Sequence, residues 1–200
     1  MIYRHDGRTP LVDPAAWVAP DATVVGDVEI GAGSRVMHGA RIVASDGPIR
    51  IGRMVIVMEN AVLRSTGGHG CLVGNHCLIG PNTHVVGATV GEEVFVATGA
   101  ALFHGCWIGK GAEVRINAVV HIRTRLDPGA TVPIGWVAVG DPARILPPDA
   151  HEQIWAAQAP LHFPLTVYGL DRTTPDLMCR ITERLSDRLS GHREDVAELP

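Results

Sequence analysis

A branched aliphatic residue recurs every six positions along most of this chain, and that period leaves few folds open. Val18, Val24, Ile30, Val36 and Ile42 start the series. It resumes at Ile51, Val57 and Leu63, then at Val73, Ile79 and Val85, and runs on through Val90, Val96, Leu102, Ile108, Val114 and Val120. A small residue often stands four positions later, as at Ala22, Ser34, Ala40, Ala61, Thr83, Ala100, Ala112 and Ala118. This repeat matches neither the helical period of about 3.6 nor the alternation of a plain strand. It fits a triangular coil of three short strands, with successive coils stacked at roughly 4.8 Å and one aliphatic side chain per strand pointing inward. The composition agrees. Hydrophobic residues make up 46% of the chain but aromatics only 4%, so Val, Ile, Leu and Ala must fill the interior. Glycine follows many of the aliphatics, at Gly31, Gly52, Gly74, Gly80, Gly91 and Gly109, where unusual backbone dihedrals are expected.

Three interruptions break the period. Ser45 to Arg50 (S-D-G-P-I-R) carries turn chemistry, Ser65 to Cys71 (S-T-G-G-H-G-C) is a glycine-rich loop, and Thr124 to Pro133 is read as the closure of the prism. Loops on a rigid scaffold are where function concentrates. After Pro147 and Pro148 the pattern changes to helical, which divides the chain into a β-helix domain over 1–146 and a helical extension over 147–200. Asp149 to Leu161 reads as a short helix. Thr174-Pro175-Asp176 reads as an N-cap with proline in the first turn, and Leu177, Ile181, Leu185 and Leu189 then form one apolar stripe. That stripe is expected to pack along the prism or against another subunit rather than on a membrane. The expected class is therefore all-β, a parallel β-helix of hexapeptide repeats followed by C-terminal α-helices.

The net charge of -4 and pI of about 6.2 give no basic footprint for a phosphate backbone, which argues against nucleic acid as a partner. No apolar run is long enough to span a bilayer, so no membrane partner is expected. The four cysteines, Cys71, Cys77, Cys106 and Cys179, form no C-x-x-C pair, and no apolar signal core follows Met1; a reducing, cytoplasmic setting is the expectation.

The motifs of the prism resemble those of the gamma-class carbonic anhydrase family, a group of left-handed β-helix proteins. V-G-D-V-E-I-G at Val25 to Gly31 is similar to that family's opening coils, and Val132-Pro133-Ile134-Gly135 through Gly140-Asp141-Pro142-Ala143-Arg144 echoes its closing motif. The resemblance covers roughly Val12 to Leu146. It implies a homotrimer with zinc held at each subunit interface by two histidines of one chain and one of its neighbour. Carried over one at a time, the histidine positions fall on Arg64 in Asn60-Ala61-Val62-Leu63-Arg64, on Pro81 after Ile79-Gly80, and on Val86 before Gly87-Ala88. None offers the imidazole nitrogen that zinc takes. No metal and no cofactor is therefore predicted at that position, with zinc or coenzyme A left as possibilities. His104-Gly105-Cys106 reads like a ligand motif, but coil length puts His104 where the family commonly has an aspartate.

Counting from the inward aliphatics stacks His38, Glu59, Pro81 and Thr98 in one outward column and Val43, Arg64, Val86, Phe103 and His121 in another. By the resemblance these columns face each other across the trimer interface, so Arg64 of one chain is expected to approach Glu59 or His38 of the next. Arg64, Glu59 and His69 are the candidate catalytic residues. Histidine titrates near neutrality, and His69 in the glycine-rich loop is the best single general base. His38, Asp46 and His84 are the candidate substrate contacts; Asp46 matches a family aspartate that orders the interface, although the family's arginine two residues earlier is Ala44 here. Four functions remain open: a repurposed trimer that binds or converts a small molecule at the subunit interface, a coenzyme-A-dependent hexapeptide acyltransferase, a non-catalytic scaffold subunit, and a carbonic anhydrase with relocated ligands.

Overall fold

A computed structural model describes residues 1–66 and 68–198. The chain coils into a parallel β-helix of about eight turns, left-handed and triangular in section. One face is a ladder of seven two-residue strands, from Trp17–Val18 through Arg35–Val36, Ile56–Val57, Leu78–Ile79, Phe95–Val96 and Glu113–Val114 to Thr131–Val132. The inward residues are in exact register along it: Val36 pairs with Val57, Val57 with Ile79, Ile79 with Val96 and Val96 with Val114. A second face stacks Ile42, Leu63, Val85, Leu102 and Val120 in the same way. Two longer strands, Thr23–Ile30 and Arg41–Ile51, run through a corner without a break and join the second and third faces into one sheet. The first interruption of the period is thus a continuous strand rather than a loop.

The third interruption is not one. Arg125–Leu126 pairs with Trp107–Ile108 and Thr131–Val132 with Glu113–Val114, so the coil continues through Leu126 and Val132 to Ala138, all three buried. The six-residue period was there to be read at those positions; Asp127-Pro128-Gly129 occupies an ordinary corner. The interior is aliphatic throughout, with Val24, Val36, Ile42, Leu63, Ile79, Leu102 and Ile108 excluded from solvent. Cys71 and Cys106 are buried among them, and burial pushes each thiol up to about 12.

The glycines after the aliphatics serve a different purpose from the one expected. Their backbone is ordinary, but a Cβ on Gly74 would lie 2.7 Å from the Glu92 nitrogen and one on Gly80 2.8 Å from the backbone of Ala97. The coils approach too closely there for any side chain. The left-handed dihedrals fall two residues later, at Gly33, Met54, His76, Asn82, Glu93 and Gly111.

The tail folds back along the prism. It contains three helices, α1 (His151–Gln158), α2 (Phe163–Tyr168) and α3 (Leu177–Leu189). The short helix α2 has no counterpart in the sequence reading. Helix α3 begins at Leu177 with Asp176 in a left-handed conformation and no side-chain cap, so Thr174 is not the N-cap. Of its apolar stripe, Ile181 is buried and Leu177 and Leu185 are half-buried. A 3-10 turn, Ser190–Glu194, leads to a last strand, Val196–Glu198, which pairs antiparallel with Ile2–Arg4. The two ends of the chain therefore close on each other at the first coil. No described helix is long and apolar enough to cross a membrane.

Candidate functional site

The strand register stacks two of the carried-over positions, Arg64 and Val86, whereas Pro81 lies in the other column, beside Glu59. Val43, Arg64 and Val86 are direct neighbours in successive coils, and His84 lies two residues before Val86 on the same outward face. Arg64 is half-buried, and its Nε has no hydrogen-bond partner among the described residues. Its pKa is lowered by burial and by the charge of Arg188, which α3 delivers to this face. His84 is exposed in the single chain, and its pKa is lowered by partial desolvation of the ring and by Arg64.

His69 returns over the same surface. The glycine-rich loop closes through paired backbone hydrogen bonds between Thr66 and His69, at 3.2 and 3.1 Å. The imidazole then rests on a shelf made by two glycines of later coils. A Cβ on Gly87 would come within 2.8 Å of the His69 Cβ, and one on Gly105 within 3.3 Å of its Cε1; both glycines have positive φ. His69 is thus held against the prism rather than free in a solvated loop. Its ring meets that of His104 edge to face, with centroids 6.4 Å apart.

His104 is the residue that the sequence argument undervalued. It is only 8% exposed, and its Nδ1 is buried without a partner. Desolvation, followed by the charges of His69, His84 and Arg188, pulls its pKa down to about 4. Every charge that perturbs Arg64 or His104 is positive. This face is therefore a cluster of two guanidinium groups and three imidazoles in which two buried nitrogens, Arg64 Nε and His104 Nδ1, lack partners among the described residues. Such a cluster is matched chemically by an anion. The H-G-C triplet flagged His104 in the sequence, whereas Arg188 carried no signal, because nothing in an amphipathic pattern says which distant surface the helix covers.

The remaining candidates lie elsewhere or act indirectly. His38 is turned to Asp21 of its own chain, Nδ1 to Oδ1 at 2.6 Å. Glu59 lies in the column with His38 and makes no ion pair among the described residues. Asp46 does not contact the cluster directly; its Oδ2 accepts the Gly68 N–H at 3.1 Å and so steadies the loop that carries His69. His121 stacks further along the Arg64 column, with its Nδ1 buried and unpartnered, beside a cavity of about 670 Å³ that α1 and the segment after α2 help to line.

Comparison with known proteins places this geometry. No protein-family model matches the chain. It is 32% identical over 153 residues to "Gamma carbonic anhydrase 1, mitochondrial" of Arabidopsis thaliana, covering 74% of this chain and 54% of that protein. The chain is a hexapeptide-repeat protein similar in sequence to the gamma carbonic anhydrases. "Gamma carbonic anhydrase 2, mitochondrial" of the same plant is 31% identical over 153 residues, covering 74% and 53%. The chain spans about half the length of these curated relatives. A crystal structure described as a putative acetyltransferase of Bacillus cereus superposes with a TM-score of 0.56 at 18% identity, covering 96% of this chain and 95% of that one, which speaks for the shared fold only.

The residues at the zinc positions of this gamma-carbonic-anhydrase-like chain do not fit the metal. Pro81 has no donor, Val86 is a buried hydrocarbon 5% exposed, and the guanidinium of Arg64 is a permanent cation that donates hydrogen bonds and repels a metal ion. Among the described residues, the donor atoms of His69, His84 and His104 do not converge as ligands either.

Proposed function

We propose that the protein is a homotrimer that binds a small anionic molecule, of carboxylate or carbonate type, at the interface position where its relatives' resemblance places zinc. The observation that carries this reading is the buried Arg64 Nε, an obligate donor with no partner among the described residues, next to a second cation, Arg188, and to imidazoles that include the unpartnered His104 Nδ1. An unpartnered buried donor costs free energy that a bound acceptor returns. Arg64 supplies the fixed charge. His84 and His104, both with lowered pKa, stay neutral at pH 7 and can accept a proton from a bound acid or water, and His69 on its glycine shelf faces the same space. Glu59 or His38 of the neighbouring subunit completes the site in this reading. A cytoplasmic setting belongs to the proposal.

Isothermal titration of the full chain with acetate, bicarbonate and phosphate tests the reading. A charge-assisted hydrogen bond contributes about 1.5–3 kcal/mol, so Arg64→Met is expected to weaken binding by roughly 10- to 150-fold. Sedimentation should give three chains per particle. Heat of binding with acetyl-coenzyme A and none with small anions would favour the acyltransferase reading, and equal affinities for wild type and variant would reject Arg64 as the anchor.

A further inference from the structure

We propose that His5, His192 and Asp195 form a zinc site that fastens the end of the chain to its first coil. The register of the terminal strands creates it. Ile2 pairs with Glu198, Tyr3 with Ala197 and Arg4 with Val196, so the next step along the ladder sets His5 opposite Asp195. The preceding 3-10 turn brings His192 to the same carboxylate. His5 Nδ1 lies 2.6 Å from Asp195 Oδ1, and His192 Nδ1 lies 2.9 Å from Asp195 Oδ2. The two rings stack with centroids 4.3 Å apart and 16° between their planes, and both Nδ1 atoms reach the Asp195 carboxylate. One donor atom from each of the three residues lies within 4.8 Å of the others, and His5 is 7% exposed.

The other ring nitrogens face polar groups that can orient the two imidazoles. His192 Nε2 is 3.0 Å from Ser45 Oγ, and His5 Nε2 is 3.7 Å from a carboxylate oxygen of Asp6. Metal-bound histidines characteristically donate the far N–H to such a partner. With a metal on the Nδ1 atoms, the His192 ring would carry its proton on Nε2 and donate it to Ser45 Oγ, while the nearest group to His5 Nε2 is the exposed Asp6 carboxylate at 3.7 Å, outside hydrogen-bond reach. Two imidazoles and a carboxylate, with a water in the fourth position, form a donor set that suits zinc. The site shares no residue with Arg64, Pro81 or Val86. It joins residues nearly the whole chain apart, so the metal would hold α3, and with it Arg188, against the prism.

The test uses the full chain, stripped with a chelator and titrated with zinc. Expected are one zinc per chain, a rise in melting temperature on binding, and the visible absorption of tetrahedral cobalt(II) on substitution. His192→Gln and Asp195→Asn should each lower zinc affinity by more than about 100-fold, and Ser45→Ala by about 10- to 100-fold, as outer partners do. His151→Gln, an exposed histidine of α1, should bind as wild type does. Circular dichroism checks that the prism stays folded in each variant; Asp195→Asn, which keeps the shape of the side chain, serves if His192→Gln disturbs the tail. Absence of stoichiometric zinc, or uptake unchanged in both His192→Gln and Asp195→Asn, overturns the proposal.

Discussion

His104 should make the protein sensitive to mild acid, and replacing it with asparagine should remove much of that sensitivity. Its pKa falls from 6.5 in the unfolded chain to about 4 in the fold. Above pH 6.5 both states hold a neutral ring and the group contributes nothing to pH dependence. As pH falls below 6.5 the unfolded chain takes up a proton that the native state refuses, and stability is lost progressively until the native ring also protonates near pH 4. At about 1.36 kcal/mol per pKa unit the full loss is about 3 kcal/mol, of which about 2 kcal/mol is present at pH 5. The ring is only 8% exposed, so solvent screens little of this. His104→Asn loses no hydrogen bond at Nδ1, because there is none, and does not titrate. Urea unfolding of wild type and variant at pH 7.5 and pH 5 measures the difference. Wild type should lose about 2 kcal/mol more than the variant between those two values. Phosphate or acetate should reduce the wild-type loss, since a bound anion favours the charged ring. If the two proteins lose the same stability on acidification, His104 is not held neutral by the cluster and the electrostatic account of the site fails.

Other consequences can be checked by simple measurements. Gly87→Ala puts a Cβ 2.8 Å from the His69 Cβ, on a residue with φ of +57°; it should lower stability by about 1–3 kcal/mol in denaturant melts and displace the His69 ring, seen as a changed histidine resonance. Leu63→Ala, at a position with no solvent exposure in the middle of the prism, should cost about 2–5 kcal/mol. In the native protein a thiol reagent should label Cys179, which is exposed, at once and leave Cys71 and Cys106 until unfolding, because burial holds both thiols protonated.

The prism was legible because its constraint is local and repeated: an inward aliphatic at every sixth residue satisfies the same packing demand in each coil, so Val36, Val57, Ile79 and Val96 could be stacked by counting. The counting failed where chemistry at a corner looked like an ending. Asp127-Pro128-Gly129 suggested closure, yet Leu126 and Val132 carry the period straight through it. The glycines were located correctly but for the wrong cause, since close approach between coils is a property of two stacked layers and cannot be read from one. At the candidate site, one strand register sets Arg64 and His84 on the same face, whereas His69 is laid over the prism by its loop and the shelf of Gly87 and Gly105. Arg188 and the His5, His192 and Asp195 cluster were out of reach, since they depend on where a single amphipathic helix and one terminal strand return to the prism. No repeat specifies that return. His38, by contrast, satisfies itself on Asp21 within its own chain, an adjacency across one coil that the repeat length implied.

In the proposed function, Arg64 holds an anion at the position where the resemblance places a metal. Crystals of the full-length protein soaked in bromide and measured at the bromine absorption edge test it directly. The prediction is an anomalous peak within hydrogen-bonding reach of Arg64 Nε, in a trimer, lost in Arg64→Met crystals. A transition metal bound on that face, or bromide sites scattered elsewhere with none at Arg64, would contradict it.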